Sequence, residues 1–130
     1  LFEDILLSKP KFVSVFLDTC YSGMTRSSES LINSRPVVIL QKKSNFPDNF
    51  LIFSASQSDQ TSKPLEEAQH GIFSYFLMKG MEGYADNDNN KQITAGELHR
   101  YIKKNVMQHS SGLQTPEFKG DKRKVLINFD

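Results

Sequence analysis

Phe12-Val13-Ser14-Val15-Phe16-Leu17-Asp18-Thr19-Cys20-Tyr21-Ser22-Gly23 is the stretch whose chemistry decides the fold. Its first six residues are nearly continuous in β-branched and aromatic side chains, the composition of a strand covered on both faces in a parallel sheet. The chain then turns polar abruptly. Thr19, Ser22 and Gly23 permit a tight turn at the carboxyl end of the strand, the edge at which open α/β sheets hold ligands. A thiol there is reachable by substrate. Cys20 is the only cysteine in 130 residues, so an internal disulfide, a CxxC redox pair and a cysteine zinc cluster are excluded by count. Two readings of it remain: a nucleophile, or a small buried residue of the kind free thiols commonly are.

Working outward, Phe50-Leu51-Ile52-Phe53 is a second compact apolar run. It stops at Ser54-Ala55-Ser56-Gln57-Ser58-Asp59-Gln60-Thr61-Ser62, so strand then polar loop occurs twice and both loops can face one cleft. Leu1, Ile5 and Leu6 fall at helical spacing ahead of Lys9-Pro10, which ends the segment. Residues 24–34 read as a loop and residues 36–40 as a short extra strand. From Gly71 the spacing of Ile72, Phe73, Phe76, Leu77 and Gly80 predicts a helix ending near Gly83. A further helix begins near Thr94 and buries Leu98, Ile102 and Val106. Residues 112–122 read as a long polar connection, and Val125-Leu126-Ile127-Asn128-Phe129 as a closing strand. Strands alternating with helices predict one α/β domain over residues 1–130, with a mainly parallel sheet flanked by helices.

Sixteen Lys and Arg against fifteen Asp and Glu leave a formal charge of +1, too balanced for an electrostatic nucleic-acid surface. No apolar stretch approaches the length of a membrane span, and no signal peptide precedes the first helical pattern. Neither nucleic acid nor membrane is an expected partner. No segment specifies a compartment, and the cytoplasm is the favoured one.

Asp86-Asn87-Asp88-Asn89-Asn90-Lys91-Gln92-Ile93-Thr94-Ala95-Gly96-Glu97 nearly fits a calcium loop. Oxygen donors stand at its first, third, fifth, seventh, ninth and twelfth places: Asp86, Asp88, Asn90, Gln92, Thr94 and Glu97. The sixth place, where that motif carries glycine for a sharp turn, is Lys91, which implies backbone strain and a positive charge near the cation. Thr94 and Glu97 also read as a helix capping box with no metal at all.

Asp18-Thr19-Cys20-Tyr21-Ser22-Gly23 after its hydrophobic strand resembles the cysteine motif of metacaspases and bacterial caspase-like peptidases. Three more blocks agree in order. Residues 53–62 resemble the strand and substrate loop of those proteins. His70-Gly71-Ile72-Phe73-Ser74-Tyr75-Phe76-Leu77 resembles the helix that follows, and Gln114-Thr115-Pro116 resembles the segment before the last strand. The resemblance covers most of the chain. It implies a caspase-haemoglobinase fold and a cysteine endopeptidase working through a Cys-His dyad, with Cys20 as the nucleophile and its own backbone N–H as one oxyanion donor. The other donor would be the glycine of a His-Gly motif upstream of the cysteine. None of the nineteen residues before Cys20 is histidine. His70-Gly71 matches a different block, and His99 and His109 read as surface histidines. The resemblance therefore implies a Cys-bearing C-terminal portion, inactive alone, whose N-terminal strands and His lie in a missing N-terminal portion.

Charge bears on specificity. Asp18 stands two residues before the cysteine, where caspases that cut after Asp resemble a pattern with Gln. A carboxylate in the pocket attracts a cation and repels an aspartate, and Arg fits best through paired hydrogen bonds. The expected partner is a peptide or protein with Arg or Lys before the scissile bond. Asp59 is a second candidate for the pocket, with Ser54, Ala55 and Ser56 as its wall. Asp18 also reads as a turn residue capping backbone amides. No cofactor is required for this chemistry, and calcium, if bound at the acidic turn, is structural. Two other functions fit the same residues: an inactive caspase-like interaction module and a calcium-dependent structural module.

Overall fold

The computed structural model describes residues 2–18, 47–55 and 71–130, and the architecture below refers to these. Helix α1 (Phe2–Leu7) closes with Ser8 donating from both N–H and Oγ to the Ile5 carbonyl, at 3.3 and 2.7 Å. Pro10 lacks the donor needed to continue a helix, and the chain leaves through Lys9 with φ of +48°.

Strand β1 (Val13–Leu17) pairs in parallel with β2 (Phe50–Ser54), in register from Val13 opposite Phe50 to Leu17 opposite Ser54. β2 is central: Phe50, Leu51 and Phe53 are almost fully buried. The expectation that the first strand is also covered on both faces is not met, because β1 is partly buried along its whole length. Its physical reason is position: among the described residues β1 pairs only with β2 and forms the sheet edge. Phe16 stacks on Phe53 with ring centroids 5.0 Å apart, and Phe53 meets Phe118 at 4.7 Å, so one aromatic row crosses all three strands.

Phe118 lies on β4 (Glu117–Lys119), which pairs antiparallel with β2, Ser54 opposite Glu117 and Ile52 opposite Lys119. This corrects two expectations. Residues 112–122 are not a plain polar connection, and the described sheet is mixed, with one parallel and one antiparallel pairing in the order β1-β2-β4. The closing strand β5 (Val125–Asn128) belongs to a separate antiparallel pair with β3 (Gln92–Thr94), joined through Ile93 opposite Ile127. The strand expected at residues 36–40 lies outside the described residues.

Helix α2 (Ile72–Lys79) runs into one π-helical turn, Gly80–Tyr84, which ends where Gly83 takes φ of +125°. Helix α3 (Ala95–His109) carries Ala95, Leu98, Ile102 and Val106 on one stripe, all fully buried. These residues pack with Phe73 and Phe76 of α2 and with Leu51 and Phe53 of β2 into a single core. The crossing of the helices is close at Gly80. A Cβ there would lie 2.7 Å from Leu98 Cδ1, below any ordinary contact. Among the described residues no helix is long and apolar enough to cross a membrane.

Candidate active site at the carboxyl edge of the sheet

Because β1 and β2 are parallel and end in register, their carboxyl ends lie level, and the Ala55 N–H donates to the Leu17 carbonyl at 2.9 Å. That bond sets Asp18 beside Ser54 and Ala55. Asp18 is exposed, whereas Ser54 is 8% and Ala55 1% exposed. Three of the residues singled out from sequence thus converge at the edge where α/β sheets hold ligands. The Ala55 side chain belongs to the core, so any part it takes in a pocket wall falls to its backbone. Cys20, Ser56, Asp59 and His70 lie outside the described residues, as do Arg26 and Lys42-Lys43.

One residue at this edge was not singled out from sequence. Ser74, in the first turn of α2, donates its hydroxyl to Asp18 Oδ2 across 56 residues of chain. Its neighbours Phe73 and Phe76 are buried, which locks the helix and presents Ser74 toward the end of β1. A single serine on a helix carries no periodic or compositional signal. The fold alone makes the pairing visible.

The other histidines are engaged elsewhere. His99 is partly buried rather than at the surface, because its ring packs against Phe118 at 5.7 Å and its Nε2 lies 3.2 Å from the Pro116 carbonyl. Burial lowers its pKa below the ordinary histidine value, only partly offset by the bond to Pro116, and Lys103 and Lys122 add repulsion. His109 is exposed, with Nδ1 2.8 Å from the Asn105 carbonyl and its ring against Phe76. Among the described residues neither hydrogen-bonds to Asp18, Ser54 or Ala55. An open cavity of about 550 Å³ is lined by His99, Arg100, Lys103, Lys122 and Arg123 together with Thr94 and Glu97 at the start of α3.

The acidic turn brings one carboxylate oxygen each from Asp86, Asp88 and Glu97 to within 4.8 Å of one another. Asn90, Gln92 and Thr94 share the turn and take part in its internal bonds. Asn90 Oδ1 accepts the Gln92 N–H at 2.7 Å, and Asp86 accepts the N–H groups of Asn90 and Lys91 at 3.2 and 3.0 Å. Glu97 Oε2 accepts from both the N–H and the hydroxyl of Thr94, while Thr94 Oγ1 accepts the Glu97 N–H, a complete capping box for α3. Lys91 takes the left-handed φ of +65° that the glycine of a calcium loop supplies, so the strain expected from sequence is present. The lysine is held there by the Phe129 N–H donating to its carbonyl at 2.7 Å. An all-oxygen donor set on such a turn suits a hard cation.

Among the described residues the fold thus presents a parallel strand pair with Asp18 at its carboxyl edge, a following helix anchored to that edge, and a late strand added to the sheet. No curated protein and no solved structure shows a significant match to the chain. The sequence profile of the caspase domain matches residues 2–127. Covering all but the chain's extremities, that match establishes that this chain belongs to the caspase family, a family of cysteine peptidases.

Proposed function

We propose that the chain is the Cys-bearing portion of a metacaspase-like endopeptidase that cleaves after Arg or Lys. The observation that carries this reading is the exposed Asp18 carboxylate at the carboxyl edge, two residues before Cys20 in sequence. An exposed anion at the pocket attracts a basic side chain, and a guanidinium meets a carboxylate through two parallel hydrogen bonds.

In this mechanism the Cys20 thiolate attacks the scissile carbonyl carbon, forming a C–S bond while backbone amides hold the oxyanion. Collapse breaks the C–N bond, and a histidine from a portion upstream of Leu1 delivers the proton to the leaving amine. Water then hydrolyses the thioester, its proton passing to the same histidine. Asp18 acts by holding the basic side chain, which fixes the carbonyl over the sulfur. Asp59 and Ser56 belong to the same proposed pocket, with Ser54 and Ala55 beneath it.

The test is turnover of fluorogenic peptides ending in Arg, Lys or Asp by the polypeptide that carries this chain with its upstream portion. Cys20→Ala abolishes turnover on this reading. Asp18→Asn lowers kcat/KM for Arg peptides by about 10- to 100-fold, the worth of a hydrogen bond to a charged group. Turnover unchanged by Cys20→Ala excludes Cys20 as the nucleophile, and an absence of turnover on every peptide leaves the fold as an interaction module.

A second reading attaches to the acidic turn, where three converging carboxylates support a structural calcium ion held by Asp86, Asp88 and Glu97, with Asn90, Gln92 and Thr94 completing the set. The ion would neutralise the clustered charge and stiffen the entry to α3, and the peptidase chemistry does not pass through it. Calorimetric titration with calcium gives binding that Glu97→Gln weakens. A silent titration removes this reading.

A further inference from the structure

We propose that Ser74 is a specificity-positioning residue, which fixes the plane of the Asp18 carboxylate and thereby favours arginine over lysine at the cleavage site. The inference rests on the Asp18 pocket proposed above and adds to it a partner from a different element of the fold.

An aspartate carboxyl turns easily about its last torsion, because that rotation joins a tetrahedral to a planar carbon and has broad minima. Asp18 is exposed at the end of β1, and among the described residues Ser74 is what bonds its carboxylate to set that angle. The Ser74 hydroxyl donates to Oδ2 and fixes it. Ser74 itself is held by the helix beneath it, where Phe73 is 1% and Phe76 8% exposed. A carboxylate offers about four acceptor positions, so one donated bond leaves both oxygens free to receive a ligand.

The two basic side chains respond differently to a fixed plane. Guanidinium is a rigid planar fork whose two bonds form together only when the carboxylate is coplanar with it. Ammonium is a point charge with three rotatable donors and tolerates any rotation of the carboxylate. A Ser74–Asp18 bond therefore improves binding of arginine and leaves lysine nearly unaffected. A bond that merely tied α2 to β1 would help both alike.

The experiment measures kcat and KM for matched Arg and Lys peptides in the active polypeptide, its Ser74→Ala, Ser74→Thr and Asp18→Asn variants, and the Ser74→Ala/Asp18→Asn pair. The expected result is an Arg kcat/KM about fivefold lower in Ser74→Ala, carried by KM, with the Lys value within about twofold. Ser74→Thr keeps the hydroxyl and restores the Arg preference. In the Asp18→Asn background, Ser74→Ala has no further effect. Equal losses on Arg and Lys peptides, or loss in kcat alone, overturn the positioning role. An Arg preference that Asp18→Asn destroys and Ser74→Ala spares overturns this inference alone and leaves the proposed function standing. Absence of any preference for basic peptides overturns both. If turnover is undetectable, benzamidine and n-butylamine serve as planar and point-charge probes in calorimetric titrations. Benzamidine that fails to bind, or binds equally to Ser74→Ala, overturns the assignment.

Discussion

The helix crossing that holds the candidate site rests on the absence of one methyl group, and Gly80→Ala tests it. Gly80 is buried and helical, with φ of −58° and ψ of −44°, so alanine is conformationally acceptable there. Helix propensity alone would make the substitution stabilising by about 1 kcal/mol. Against that, the new Cβ would stand 2.7 Å from Leu98 Cδ1 and 3.1 Å from Tyr101 Cδ1. Leu98 is fully buried on the central stripe of α3 and cannot swing its methyl into solvent. Overpacking of this kind costs about 1–3 kcal/mol, so the net change is a loss of up to about 2 kcal/mol. A single variant leaves propensity and clash entangled, and a cycle with Leu98→Ala separates them. Leu98→Ala alone costs about 2–5 kcal/mol through the cavity it leaves. With alanine at residue 80 the new methyl occupies part of that cavity, and the combined loss falls short of the sum by about 1–2 kcal/mol. Urea unfolding midpoints of the four proteins, taken with their slopes, give each number. Gly80→Ala gaining the full propensity term, or a cycle that closes additively, would refute the close crossing.

Two further outcomes follow from the same geometry. Thr94→Ala removes the hydroxyl arm of the capping box on α3, leaves the backbone N–H of residue 94 donating to Glu97, and lowers stability by about 1 kcal/mol, read from the urea midpoint, whereas Thr94→Ser keeps the hydroxyl and loses little. His99 has a folded pKa depressed by burial, so the unfolded chain binds its proton first as pH falls. Its contribution to stability is therefore present above the unfolded value of about 6.5 and declines as pH drops through it toward the folded value. His99→Gln flattens that part of the pH–stability curve, and a slope left intact places its origin in another group.

The sequence was most legible where burial is continuous. Phe50-Leu51-Ile52-Phe53 could be read as a covered strand because β2 is the central strand, and the stripe of Leu98, Ile102 and Val106 could be read as a helix because its whole face is core. The boundary at Thr94 was legible for a different reason, since a capping box is a local motif. β4 was not legible. Three residues between Pro116 and Gly120 hold too few positions for an alternating pattern, and the pairing that makes them a strand is with Phe53 and its neighbours more than sixty residues earlier. β5 was legible as a strand but not as a member of a second sheet, because apolar alternation says which face is buried and not which strand lies beside it. His99 looked like a surface residue beside Arg100, and only the return of residues 116–118 over its ring buries it.

At the site the same distinction divides Asp18 from Ser74. Asp18 could be singled out from sequence because it is a charge at a strand's carboxyl end, two residues before Cys20. Ser74 could not be, since its part depends on α2 lying across the end of β1, and that placement is set by the core. Phe73 and Phe76 fix the helix from below, while Gly80, six residues after Ser74, lets it settle against Leu98 and Tyr101. Six residues of α-helix span about 9 Å, well within the length over which a packed helix moves as one body. Removing side-chain volume at Gly80 and placing a hydroxyl at Ser74 are therefore two parts of one arrangement. The first brings α2 close enough to the core for the second to reach the carboxylate.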